Sequence, residues 1–143
     1  MTSEEIRAFL DRFSRAWEGQ DVKALGACYA DDCTVVSPIF GTLHGRIAVE
    51  KSYADLVRVF GLQQVRVDDM VIGNEEPPRA VVVWNVESTH KGEVFGMAPT
   101  GKKIQRTIAY FLTLKDGLIV RETRLYDFTS MLMQLGVLRA KPH

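Results

Sequence analysis

Residues Ala80 to Asp127 read AVVVWNVESTHKGEVFGMAPTGKKIQRTIAYFLTLKDGLIVRETRLYD. Three runs in this stretch are rich in β-branched and aromatic residues, which favours strand over helix. They span Ala80 to His90, Ile104 to Leu114 and Leu118 to Tyr126. Lys115-Asp116-Gly117 is a tight hairpin signal between the second and third. Gly92 to Gly101, with Gly96 and Pro99 inside it, is a longer loop between the first and second. A three-stranded antiparallel meander is therefore expected, with the earlier chain covering one face of it.

Working outward, Ser3 is placed to cap a first helix, with Glu4 and Glu5 in its first turn. Ile6, Phe9, Leu10, Phe13, Ala16 and Trp17 recur at helical spacing and predict an apolar stripe. Gly19 ends that helix. Asp21 caps a second, short one that closes at Asp31-Asp32, with Leu25, Cys28 and Tyr29 facing inward. Thr34 to Val36 is a short strand broken by Ser37-Pro38, and Phe40 to Gly45 is turn-rich. A third helix is expected over Arg46 to Phe60, a strand over Gln63 to Ile72 and a turn over Gly73 to Pro78. After the meander, Phe128 to Leu138 predicts a short amphipathic helix, interrupted by Gly136, over a cavity mouth or a neighbouring subunit. Helices, a strand, a helix and then strands make an α+β order, with helices on one face of a bent sheet.

Length and charge narrow the function. The 143 residues fit one domain spanning 1–143. The 18 basic and 18 acidic side chains cancel, which leaves no electrostatic footprint for nucleic acid or an anionic membrane. No apolar run approaches the roughly 20 residues of a membrane span. The polar start MTSEE is no secretory signal, so a cytoplasmic location is expected, with Cys28 and Cys33 as reduced thiols. The cysteines form no metal-spaced cluster with His44, His90 and His143. With no nucleotide loop either, no metal or other cofactor is expected.

Several motifs together carry a resemblance. Thr89-His90-Lys91-Gly92-Glu93, Gly96-Met97-Ala98-Pro99-Thr100-Gly101, Asp116 to Val120 and Tyr126-Asp127 through Gln134-Leu135-Gly136-Val137-Leu138 are the most specific, and Asp21 to Asp32 with Gly45-Arg46 also fits. Over nearly its whole length the chain resembles the SnoaL-like polyketide cyclases of the nuclear transport factor 2-like superfamily, which includes ketosteroid isomerase-like proteins. The resemblance implies a cone-shaped α+β barrel, a curved sheet wrapped around N-terminal helices, a small-molecule pocket and a homodimer formed through the sheet. Members include cyclases, isomerases, dehydratases, epoxide hydrolases and binders without activity, so fold alone does not choose among them.

Strand alternation groups the side chains. Val82, Trp84, Val86, Ser88 and His90 share one face, as do Arg106, Ile108, Tyr110 and Leu112, and Val120, Glu122, Arg124 and Tyr126. The resemblance puts these faces inside the cone. It also exposes departures from the relatives. Tyr110 stands where cyclases often carry an aspartate, and Arg124 near an acid of cyclases and epoxide hydrolases. Ser37 before Pro38 replaces the isomerase aspartate, and Phe13 falls near the isomerase tyrosine.

Two readings stay open. In the first, a cofactor-free cyclase, isomerase or dehydratase moves a proton with His90, while Tyr110 and Arg124 stabilise an oxyanion. Trp84, Glu122, Tyr126, Phe13 and Ser37 then bind the substrate. In the second, the cone holds an apolar or aromatic, polyketide- or steroid-like molecule without turnover, or serves only for dimerisation. Each residue also has a plain reading. His90 is a rim histidine, Tyr110 and Trp84 are core, and Glu122 neutralises Arg124.

Overall fold

The computed structural model describes residues 1–139, without the side chains of residues 62 and 63; His143 lies outside the described residues. Helix α1 spans Ser3–Glu18. Its N-cap is Thr2 rather than Ser3, because Thr2 and Glu5 form a reciprocal capping box that satisfies both amides. The buried stripe is the expected one, from Ile6 to Trp17. Asp21 caps α2, Val22–Gly26, by accepting from the Ala24 amide.

The strands begin earlier than the local sequence signals. Strand β1 runs Tyr29–Ser37 and takes in Asp31 and Asp32, which are both exposed where its register against β6 shifts between Tyr29 and Thr34. The turn-rich stretch contains a short strand, β2, Gly41–His44. Helix α3 covers Arg46–Val59, followed without a break by β3, Phe60–Gly73. The meander is β4, Arg79–His90, then β5, Lys103–Lys115, then β6, Leu118–Leu125. Asp116 and Gly117 both adopt positive φ, 53° and 76°, as a two-residue hairpin turn requires. Helix α4, Phe128–Leu135, starts at the Asp127 cap and stops at Gly136 with φ 83°.

The six strands form one sheet in the order β2-β1-β6-β5-β4-β3. All neighbours are antiparallel except β1 and β6, which are parallel. The earlier chain therefore does more than cover the meander: it supplies both flanks of the sheet. Two bulges correct the face assignment. At the β5–β6 turn, Leu114 pairs with Ile119 and Thr113 with Arg121. Val120 is thus the extra residue, and fully buried Ile119 takes the inward place expected of it. In β3 the register shifts between Val67 and Asp69, which returns Met70 and Ile72 to the packed face beside Val65.

The concave face closes on α1. Phe9, Phe13, Trp17, Tyr29, Tyr53, Trp84 and Tyr110 lie in one aromatic cluster with ring centroids 4.6–6.1 Å apart. Burying seven such rings supplies much of the driving force for this packing. A second, smaller core of Val59, Phe60, Ile104, Met131 and Leu135 seats α4 over the other end of the sheet.

Candidate ligand site at the open end of the cone

Deep in the cone, adjacent strands bring four polar side chains into one chain of hydrogen bonds. Tyr53 donates to the Tyr29 hydroxyl over 2.6 Å, and Tyr29 donates to Glu122 Oε1, also over 2.6 Å. Arg124 Nε donates to Glu122 Oε2 at 2.7 Å. Both carboxylate oxygens are thereby occupied. Tyr110 joins the chain through Tyr53, and the Arg124 guanidinium lies over the Tyr53 and Tyr110 rings at 4.8 and 5.1 Å. Burial pushes the Glu122 carboxyl above the usual carboxylate range, against the pull of Arg124 and Tyr29. Burial also pushes Tyr29 and Tyr110 well above the usual phenol range, and Tyr53 up to about 12.

Toward the mouth the packing loosens. A chamber of about 10 Å³ lies between Trp17, Ser37, Phe40, Leu56, Arg106, Tyr110, Arg124 and Tyr126. A second, of about 20 Å³, is bounded by Trp17, Tyr53, Leu56, Phe60 and Arg106. Each has room for about one water molecule. Outside them lies an open cleft of about 350 Å³ between α3, the turn after β1 and the loop after β4. It is lined by Ile39, Phe40, Leu56, Val59, Phe60, Val94 and Phe95, with Asp55, Arg58 and Glu93 at its polar edge. Leu56 borders all three spaces. The cleft wall is held by Gly92, whose backbone sits so close to α3 that a Cβ there would meet Arg58 O at 2.5 Å. The Lys91 and Gly92 amides both donate to Val59 O.

Of the eight residues singled out from sequence, Ser37, Tyr110, Arg124 and Tyr126 line the small chamber together. Glu122 sits behind them, spent on Arg124 and Tyr29. Trp84 and Phe13 are fully packed core rings and border none of the three spaces. His90 does not join Tyr110 and Arg124. Tyr110 faces Val82 across the ladder, and eight residues separate Val82 from His90, about 26 Å of extended strand. His90 is fully buried against Phe60 and pins the following loop. Its Nδ1 accepts from the Thr100 amide and pairs with Thr100 Oγ1 at 2.9 Å. Strand geometry thus places His90 apart from Tyr110 and Arg124.

Sequence reasoning passed over Arg106 and Trp17 as site residues. The available signal was a charged residue in the apolar alternation Ile104, Arg106, Ile108, Tyr110, Leu112. Arg106 is only 7% exposed and lies over Phe60 and Tyr126 at 5.1 and 5.8 Å.

A cone of this architecture defines the ketosteroid isomerase-like class. A protein of that fold from Catenulispora acidiphila superposes with TM-score 0.72 at 22% identity, over 90% of this chain and 92% of its own. AclR of Streptomyces galilaeus, provisionally named a hydroxylase, gives TM-score 0.81 at 24% identity over 99% and 91%. A provisionally named polyketide cyclase from Silicibacter sp. TM1040 gives 0.79 at 20% over 98% and 99%. No curated protein matches. The chain belongs to the SnoaL-like polyketide cyclase family, whose model matches residues 7–135. Among the described residues no helix is long and apolar enough to cross a membrane.

Proposed function

We propose that this protein binds a small apolar or aromatic molecule, polyketide- or steroid-like, at the mouth of the cone rather than in its depth. The observation that carries this reading is the contrast in free space. The two inner chambers hold about 10 and 20 Å³, whereas the mouth cleft holds about 350 Å³ within walls rich in Phe40, Phe60, Phe95, Leu56 and Val94. That volume and lining suit a small ligand. Phe95 is 47% exposed and meets Phe128 edge-on at 5.9 Å, ready to cover a flat ring.

Amide chemical shifts recorded during titration with flat polycyclic phenols and steroids test it. Saturable shifts at Phe60, Val94 and Phe95 are expected. Shifts confined to the outer sheet face, or none in the folded protein, would overturn it.

A second reading is cofactor-free cyclase or isomerase chemistry. It is favoured by Arg124 Nη2, which is buried beside the small chamber without a hydrogen-bond partner. Such a donor suits a developing enolate oxygen. Tyr110, linked to Tyr53, lies against the guanidinium and orients it. Homodimerisation through the sheet is proposed from the exposed outer-face residues Val36, Val71 and Leu125, and sedimentation velocity checks it.

A further inference from the structure

Three side chains that line the small chamber hold buried donors with no partner: Trp17 Nε1, Arg106 Nε and Arg124 Nη2. Unpartnered buried donors are costly, and three on side chains that line one space suit an acceptor there. The charges agree. The buried charged side chains among the described residues are Arg106, Arg124 and Glu122, two cations against one anion, which leaves one positive charge in excess. Glu122 is committed to Arg124, so the excess sits on Arg106. Among the described residues its Nη1 reaches only the Met131 sulfur, at 3.8 Å, and no carboxylate stands within ion-pair distance of it. Sulfur is a weak acceptor and leaves the charge uncompensated. Burial disfavours that charge, yet a guanidinium keeps its proton.

We propose that the small chamber is an oxyanion site, in which Trp17, Arg106 and Arg124 hold a carboxylate or enolate-type oxygen of an aromatic ligand whose body lies in the mouth cleft. The inference rests on the mouth-binding reading and deepens it to a ligand class. The chamber has the volume of about one oxygen-sized group, so it accepts a head and excludes a ring. Phe40 and Leu56 border both the chamber and the cleft, so the head has only their side chains to pass. The guanidinium planes of Arg106 and Arg124 match an oxyanion in a way a lysine ammonium does not.

The test compares 2-naphthoate with its neutral isostere 2-naphthamide by isothermal titration calorimetry. The expected result is at least tenfold tighter binding of the anion by the natural protein. In Arg106→Met that preference falls to about onefold. Arg106→Met is also expected to raise the urea midpoint, because it removes a desolvated, unpaired cation. Should Arg106→Met not fold, Arg106→Lys serves, and a reduced but persistent preference for naphthoate is expected there. Equal binding of the two probes by the natural protein overturns the oxyanion site and leaves the mouth-binding reading standing. So does a preference that survives Arg106→Met. Absence of binding by both probes overturns both.

Discussion

The two ends of the cone use the same residue types and arrive at opposite results. At the closed end, Phe13, Trp17, Tyr29, Tyr53, Trp84 and Tyr110 interlock, and the one buried acid is bonded to the one arginine beside it. At the open end, Phe40, Phe60 and Phe95 line a cleft, Phe128 meets Phe95 and Tyr126 edge-on, and among the described residues Arg106 has no acid. Aromatic content therefore does not distinguish core from binding surface. Free space and charge pairing do: Glu122 is fully paired at the closed end, and the unpartnered donors Trp17 Nε1, Arg106 Nε and Arg124 Nη2 belong to side chains that line the small chamber between the two ends.

The strongest way to break this contrast is alkaline titration followed by tyrosinate absorbance and near-ultraviolet circular dichroism. All four phenols lie above their usual range. A phenol whose folded value is raised stabilises the fold fully below its unfolded value near 10. That stability is lost as pH rises through the folded values. Tyr126 at the mouth is expected to ionise first, with Tyr29, Tyr53 and Tyr110 appearing only as the fold is lost. Ionisation of all four near pH 10 in folded protein would show that the closed end is open to water.

Next in size is Glu122→Ala. It strands Arg124 and the Tyr29 proton, and a loss of about 3–5 kcal/mol is expected in urea denaturation. The double variant Glu122→Leu with Arg124→Met should recover most of that loss. A double variant as unstable as the single one would mean that shape, not charge, holds this end. Leu56→Ala, at the junction of the three spaces, should cost about 2 kcal/mol and speed ligand entry in stopped-flow. Phe95→Ala is the smallest in stability, about 0.5 kcal/mol. It should weaken 2-naphthamide binding several-fold. Full affinity in that variant would move the ligand away from the mouth.

How far the site could be read from sequence follows the same division. The meander, the α1 stripe and the Asp21 cap were legible because local periodicity and capping chemistry specify them. Period-two alternation also grouped Tyr110 with Arg106 and Glu122 with Arg124 correctly. It failed at Val120, where a bulge adds one residue and shifts the phase. Sharing a face did not set His90 beside Tyr110. Strand alternation reports direction but not distance along the strand, so a residue two turns of the ladder away and one eight residues away look alike.

By itself the sequence determined the α+β order, the family membership carried by its loop and terminal motifs, and which side chains face inward along most of each strand. These are local properties, set by propensity, capping and a two-residue period. Only the tertiary structure decided that Glu122 is spent on Tyr29 and Arg124, that Arg106 is left without an acid among the described residues, and that the cone opens from two small chambers into a wide cleft. Those outcomes depend on which strands become neighbours. The parallel pairing that sets Val35 of β1 beside Glu122 of β6 joins residues 87 positions apart in the chain, a distance no local pattern encodes.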